Sequence, residues 1–392
     1  PETCAPDQFS CPNSTVCLSR SKLCDTVADC PGAEDEAPRC IYQQCSTVNG
    51  GCSHNCSNSP QGSLCSCPQG LKLDVDNRTC IDKDECALPW SCSQKCVNAE
   101  KRYYCLCADG YSPQADKSCR ANTATDSAPF ILYSNRVSIR KIQMRGKGGR
   151  VRYSEIIRGL RNAIGVDFDW QERRMYWTDV LTDKIQRAKF DGSQIETVIS
   201  GGLISAEGIA VDWVGRNLYW LDMRADKIEV SKLNGTQRSV LINTDIDSPR
   251  AIQVDPTEGY IFWTDWGSRP RIEKAFMDGT NRTVIVNTKL VWPNGMTLDY
   301  PTKRIYWVDA KLHHLEFCDY DGKNRYPVLT GTSKLQHPFS SSLFEDQIYW
   351  TDWVGHAIRY TYKYPGGEIV ELHNSSSRLM DLHVVHPVKQ PK

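Results

Sequence analysis

Tyr176-Trp-Thr-Asp179, Tyr219-Trp-Leu-Asp222, Phe262-Trp-Thr-Asp265, Tyr306-Trp-Val-Asp309 and Tyr349-Trp-Thr-Asp352 are five forms of one phrase, set about 43 residues apart. That step is the length of one four-stranded propeller blade. It predicts small sheets stacked around an axis, a rigid disc that offers its faces to partners. A second strand recurs as Ala163-Ile-Gly-Val-Asp167, Gly208-Ile-Ala-Val-Asp212, Ala251-Ile-Gln-Val-Asp255, Gly295-Met-Thr-Leu-Asp299, Phe339-Ser-Ser-Ser-Leu343 and Met380-Asp-Leu-His-Val384. A third ends in turns such as Phe190-Asp-Gly192, Leu233-Asn-Gly235 and Met277-Asp-Gly279, hairpin signals because both residues tolerate positive φ. Six copies of one strand beside five of another predict six blades, with Phe130-Ile-Leu-Tyr-Ser-Asn135 as the degenerate phrase of the remaining one. The Tyr and Trp are expected to fill the gap between stacked sheets, and the Asp to accept backbone hydrogen bonds that tie neighbouring blades. A residue that repeats with the blade is scaffold rather than catalyst.

Outside the repeats, composition changes sharply. Eighteen of the nineteen cysteines precede residue 120, and only Cys318 follows. The first part is therefore a string of small modules held by disulfides in place of a core, and it implies the secretory pathway or the cell exterior. Asn-x-Ser/Thr sequons at Asn13, Asn77, Asn234, Asn281 and Asn374, with a weaker one at Asn55, agree. Formal charge is balanced, which argues against nucleic acid. The basic stretch Arg136–Arg161 reads as a solvated loop between two strands, with polyanion binding as its alternative. No apolar run is long enough to span a membrane and no signal peptide is present. The chain is expected to be part of something longer. Cys318 reads as a buried thiol, an intermolecular disulfide being the alternative.

The cysteines fall into three sets: Cys4, Cys11, Cys17, Cys24, Cys30, Cys40; then Cys45, Cys52, Cys56, Cys65, Cys67, Cys80; then Cys86, Cys92, Cys96, Cys105, Cys107, Cys119. The first encloses Asp25, Asp29, Asp35 and Glu36, acids that need a hard cation among them. It resembles the class A module of the low-density-lipoprotein receptor family. The resemblance implies Ca²⁺ held by those four side chains and by the carbonyls of Lys22 and Val27. Modules of this class that capture ligand lysines carry an aromatic where Lys22 stands and a further acid where Gly32 stands, so this one is expected to be structural. The other two sets, each with a late Cys-x-Cys, resemble EGF-like modules. That family pairs cysteines first to third, second to fourth and fifth to sixth. The second also resembles the calcium-binding type, with Asp82, Glu85 and Asn98 as side-chain ligands and Lys83 as a carbonyl ligand. Ile41-Tyr-Gln-Gln44 lacks the carboxylate in the equivalent place, so no calcium is expected in the first.

The repeats resemble the six-bladed YWTD propeller of the same receptors, and the order of modules matches over nearly the whole chain. The expected fold is all-β: a class A module over 1–40, EGF-like modules over 41–81 and 82–120, a linker over 121–127, the propeller over 128–387 and the start of a next module over 388–392. Trp292-Pro-Asn-Gly-Met296 and Gln336-His-Pro-Phe339 are most similar to the lipoprotein receptors and to the related receptors for agrin and Wnt ligands. Position by position, the resemblance places Arg136, Asp183, Glu207, Arg250, Trp266, Trp292 and Asn294 on the ligand face. The tryptophans would floor an apolar anchor, while Arg136 and Asn294 bond an Asn-containing loop. Arg224 replaces an acid of the Wnt-binding relatives, and Trp353 has no ligand-face match. His313 and His337 match histidines that lipoprotein receptors use in acid-dependent release.

The expected function is therefore the extracellular, non-catalytic segment of an endocytic or signalling receptor. It would bind a secreted protein (agrin-like, Wnt-pathway or lipoprotein-associated), be anchored in the membrane by a segment outside this chain and cycle through endosomes. A matrix protein of nidogen type is the alternative. No Gly-x-Ser-x-Gly elbow or His-Glu-x-x-His site supports an enzyme.

Overall fold

The computed structural model describes residues 4–5, 8–23, 25, 27–36, 45–46, 48–59, 62–122, 128–144 and 152–391. Cys24, Cys40, the stretch 41–44, the linker residues 123–127 and the basic run 145–150 lie outside the described residues. Two compact units result: Pro1–Cys92 with Cys96–Leu106, and Ser93–Lys95 with Cys107–Lys392. The division falls inside the segment 82–120 rather than at its end.

The first unit is a series of short hairpins, such as Gln8–Ser10 with Cys17–Ser19 and Asn55–Ser59 with Gly62–Ser66. Its fully buried apolar side chains are few and mostly cysteines, so cross-links replace a core. The bonds run Cys4–Cys17, Cys11–Cys30, Cys45–Cys56, Cys52–Cys65, Cys67–Cys80, Cys86–Cys96 and Cys92–Cys105, and Cys107–Cys119 lies in the second unit.

The second unit is all-β and propeller-like. Four sheets of four antiparallel strands open with Ala206–Asp212, Pro249–Asp255, Pro293–Asp299 and Pro338–Phe344. Apart from the short pair Tyr111–Pro113 and Cys119–Ala121, a seven-stranded sheet holds the rest, and its edge strand Leu382–Val385 pairs with Phe130–Ser134. Within it the 18-residue strand Arg152–Asp169 pairs by its first part with Arg136–Gln143 and by its second with Arg174–Asp179.

Sequence periodicity explains the stacking. Adjacent residues of a strand face opposite ways, so the Tyr and Trp of one phrase serve different neighbours. Tyr176 packs in one cluster with Trp220 of the next sheet, and Phe262 with Trp307 of the next. All five phrase tryptophans are fully buried. The phrase aspartates accept backbone N–H bonds, but from the segment leading into their own sheet: Asp222 from Ile204 and Ser205 at 2.7 and 2.9 Å, Asp309 from Val291 and Trp292 at 2.8 and 3.1 Å. They therefore fix where each connection enters its sheet. Between sheets the ties come from arginines. Arg238, Arg282 and Arg325 each pair with a glutamate nine residues earlier (Glu229, Glu273, Glu316) and donate to carbonyls of the preceding connection at Gly201, Thr244 and Thr288. Turn glycines complete the fit: Gly235 has φ 85°, and a Cβ there would lie 2.0 Å from Val198 O of the preceding sheet.

Two expectations are corrected. Most of the described part of the basic stretch is strand, not loop: Arg140 pairs with Glu155 at 3.3 Å and Lys141 Nζ lies 3.9 Å from the Phe130 ring centre. Nor does the linker begin at Ala121. Cys119–Ala121 is a strand paired with Tyr111–Pro113, and Arg120 and the Ala121 N–H both bind Glu345, at 2.6 and 2.9 Å. These partners are more than 200 residues away in sequence, beyond the reach of local composition. Cys318 is fully buried, and burial pushes its thiol up to about 12.

Candidate ligand-binding face

The first strands of successive sheets surround a channel. At its upper mouth each has a register shift, after the first residues in the four four-stranded sheets and between Ala163 and Val166 in Arg152–Asp169. Such bulges re-aim side chains. The residues released there are Ile164, Glu207, Arg250, Asn294 and Phe339, which line the mouth or the neck below it. The mouth opens into a cavity of about 330 Å³ bordered also by Arg136, Arg224, Trp353 and Arg378.

A second repeated device places the aromatics. The residue after each phrase donates its N–H to a carbonyl of the incoming connection: Val180 to Asn162, Met223 to Ser205, Trp266 to Ser248, Ala310 to Trp292 and Trp353 to His337. Most of these positions hold small or aliphatic residues. Where they are aromatic, the rings meet in a run. Trp266 and Trp292 lie 6.1 Å apart, Trp292 and His337 6.1 Å, and His337 stacks on Trp353 at 5.1 Å with a 10° tilt. Phe339 also stacks on Trp353, at 4.7 Å. Arg250 joins the run, 5.2 Å from Trp266 and 4.8 Å from Phe339, and is ion-paired with Glu207 at 2.7 Å.

The structure therefore brings together Arg136, Glu207, Arg250, Trp266, Trp292 and His337. Asp183 is exposed and does not border the cavity. Asn294 is only 5% exposed and donates to Pro338 O at 3.1 Å; its Oδ1 is buried without a hydrogen-bond partner. It belongs to the channel neck rather than the outer surface, because the bulge turns it inward. His313 is exposed, with Nδ1 3.1 Å from Leu335 O. Burial lowers the His337 pKa below the usual imidazole value; Asp352 opposes this, and the charges of Arg250 and Arg378 add to it. Sequence reasoning left Trp353 and Arg378 unassigned. Trp353 was legible, since Trp350-Thr-Asp-Trp353 repeats Trp263-Thr-Asp-Trp266; Arg378 sits in an irregular connection that carries no period.

The lower mouth is filled. The final residues cross it: Trp213 Nε1 donates to Pro391 O at 2.7 Å, the Trp170 N–H to Gln390 Oε1 at 2.8 Å, and Lys389 Nζ to Leu298 O at 3.3 Å. The cavity left there is about 20 Å³. Nearby, fully buried Lys363 is paired with Asp299 at 2.9 Å and Asp346 at 3.5 Å.

The expected cation sites lie in the first unit. Asp35 is fully buried and accepts from the N–H groups of Asp29 and Cys30, while Glu36 accepts from that of Asp25 at 2.6 Å. Lys22 Nζ stands 3.8 Å from Asp25 and 3.6 Å from Asp29, and Val27 donates its N–H to Asp25. In the other site Asp82 accepts from Asn98 Nδ2 at 2.7 Å and Lys101 N at 2.6 Å, and Lys83 donates its N–H to Gly70 O. Among the described residues no three acidic, His or Cys side chains converge as a metal group. Yet Glu85 Oε2 is buried without a hydrogen-bond partner, and Asp29 Oδ2 has none beyond its ion pair with Lys22. An unsatisfied carboxylate oxygen in an all-oxygen donor set fits a hard cation. The sequon asparagines are all exposed.

Comparisons with known proteins meet this geometry. The low-density lipoprotein receptor domain class A matches residues 2–40, the low-density lipoprotein receptor repeat class B matches 173–213, 216–256 and 259–300, and the coagulation factor Xa inhibitory site matches 45–80. Low-density lipoprotein receptor-related protein 4 of Mus musculus is 50% identical over 354 residues, and that of Homo sapiens 49%. The chain belongs to the low-density-lipoprotein receptor family. It matches those relatives over 90% of its own length and spans 18% of theirs. Its family relatives are receptor-related proteins, in agreement with a chain that is not an enzyme. Among solved structures, one titled as a nidogen/laminin complex is 31% identical, with a TM-score of 0.61, and covers 65% of this chain and 98% of its own. TolB from Acinetobacter baumannii, 11% identical with a TM-score of 0.54 over 66% of each chain, shares the fold alone. No helix among the described residues is long and apolar enough to cross a membrane.

Proposed function

We propose that the chain is the ligand-binding part of a cell-surface receptor ectodomain and grips a secreted protein on the upper face of its propeller. The aromatic run Trp266–Trp292–His337–Trp353 beside an open mouth carries this reading. Clustered aromatics at the centre of a surface are where binding energy concentrates. The lower mouth, filled by the chain's own residues, offers no comparable site. In this reading the seven-stranded sheet counts as two blades joined through Arg152–Asp169, which makes six with the four others. The cysteine sets 45–80 and 86–119 count as EGF-like modules. Calcium would be held by Asp25, Asp29, Asp35, Glu36 and the carbonyls of Lys22 and Val27, and in the second EGF-like module by Asp82, Glu85, Asn98 and the Lys83 carbonyl. There it would neutralise the acids and stiffen the loops.

The test is capture of secreted proteins by this fragment and by its Trp266→Ala plus Trp292→Ala variant. The expected outcome is capture by the parent and its loss in the variant; equal capture would place the binding surface elsewhere. Release in endosomes through His313 and His337 extends the reading. Because the His337 pKa is lowered, release through it should begin only below the ordinary imidazole range. pH dependence that survives His313→Ala plus His337→Ala would remove that extension. A second reading, a matrix adhesion module of nidogen type, draws on the 31% identity that covers 98% of the nidogen-complex chain. A membrane span elsewhere in the full protein would decide for the receptor.

A further inference from the structure

The upper mouth carries a charge imbalance that blade stacking does not require. Four guanidinium groups, from Arg136, Arg224, Arg250 and Arg378, border the 330 Å³ cavity against the single carboxylate of Glu207. Glu207 is already engaged by Arg250 at 2.7 Å. Arg136 bonds only the neutral Asn162 Oδ1, at 2.9 Å, and Arg378 lies over the Trp353 ring at 5.2 Å. Among the described residues Arg136, Arg224 and Arg378 make no ion pair. Most arginines elsewhere in the unit are ion-paired, as Arg216 with Asp169, Arg238 with Glu229 and Arg282 with Glu273, although among the described residues Arg152, Arg161 and Arg173 are not. Within the mouth, Arg250 Nε is buried with no acceptor.

Like charges in a concave site repel one another and focus a positive field into it. An anion relieves that repulsion. Guanidinium forks match a carboxylate's two oxygens, and the apolar walls of Ile164, Val180 and Met380 strengthen the attraction by excluding water. A discrete cavity suits one side chain, whereas an extended polysaccharide would need a basic track.

We propose that the upper mouth is an anion subsite that accepts an aspartate or glutamate side chain from a loop of the protein ligand, while the ligand's apolar anchor rests on Trp266 and Trp292. This deepens the receptor reading and rests on it for the identity of the face. The arginines supply charge selection that the aromatic run cannot, since the rings treat Asp and Asn alike.

The probes are two fluorescent, disulfide-cyclised peptides that present Asp-Ile or Asn-Ile at the loop tip, measured by anisotropy against the whole fragment. The Asp peptide should bind about tenfold or more tightly than the Asn peptide, as expected for a charge-assisted hydrogen bond. Raised salt should narrow that gap. Arg224→Gln with Arg378→Gln should abolish most of the preference, lowering the affinity of the Asp peptide far more than that of the Asn peptide. Equal binding of the two peptides, no binding of either at millimolar concentration, or a preference that survives the double variant would overturn the subsite. Displacement of the Asp peptide by a heparin octasaccharide that itself needs both arginines would replace it with a polysaccharide site. Trp266→Ala with Trp292→Ala separates the two ideas: it should weaken both peptides alike. If it weakens neither while the Asp preference persists, the aromatic floor falls and the subsite stands.

Discussion

The two ends of one channel are built from the same strands and finished in opposite ways. At the lower end most nearby charges are paired: Lys363 with Asp299 and Asp346, Lys303 with Asp255, Arg216 with Asp169. Lys389 makes no ion pair among the described residues; the Leu298 carbonyl holds it, and burial lowers its pKa to about 8. The chain's own last residues then close what is left. At the upper end three arginines have no ion-pair partner among the described residues, and aromatic rings replace the small residues that the repeat would place there. Folding needs paired charges and filled space, so the lower end explains itself. The upper end keeps polar and apolar groups that folding alone does not satisfy, and that surplus marks it as the side that meets a partner.

The contrast breaks most visibly at Lys363. Burial works against its ammonium, but the Asp299 and Asp346 carboxylates outweigh burial and raise its pKa. Lys363→Met would leave two carboxylates beside an apolar chain. Losing one side of a buried ion pair typically costs roughly 3–5 kcal/mol. Urea unfolding of the fragment should show a loss of that size. A variant as stable as the parent would mean that the lower end is no more committed to folding than the upper.

His386 gives a smaller effect with a pH signature. It is fully buried between Phe344 and Trp170, its Nδ1 accepts the Val388 N–H, and burial lowers its pKa to about 4. A group whose folded pKa lies below its unfolded value contributes stability that is present above the unfolded pKa and lost as pH falls through the folded one. Protonation also removes the acceptor that caps Pro387–Lys389. Stability should therefore fall between about pH 6.5 and pH 4, by an amount on the order of 2 kcal/mol from this residue. His337 and His373, both also lowered, push the same way. His386→Gln should flatten the slope. An unchanged slope would assign the acid sensitivity to His337 and His373 instead.

How much of this was legible varies with the range of the interaction. The phrase, its period and the inward tryptophans follow from sequence because each blade solves the same packing problem. Trp266 and Trp292 stand out as departures from the period, and Trp353 follows by the same logic from its repeated context. Arg378 and the Arg120–Glu345 contact were not legible: one lies in an aperiodic connection, and the other joins residues more than 200 apart. Asn294 was legible as a position but not as a direction, because the bulge that turns it inward leaves no local mark. The recurrent Glu229–Arg238 type of clamp was available all along in its spacing of nine residues, hidden only by the louder aromatics.

The smallest expected effect is the one that tests the surplus directly. Arg224 borders the mouth, and among the described residues it makes no ion pair. If it serves folding, Arg224→Ala should lower the urea midpoint at every ionic strength. If it serves a ligand, the midpoint should stay where it is, or rise slightly at low salt as repulsion from Arg136, Arg250 and Arg378 is relieved, and that rise should vanish as salt screens the charges. A clear loss of stability would make the unpaired arginines part of the scaffold and remove the difference between the two ends. A salt-sensitive gain would show that the upper mouth holds like charges together at a cost to the folded state, a cost that makes sense only if something negative is meant to enter.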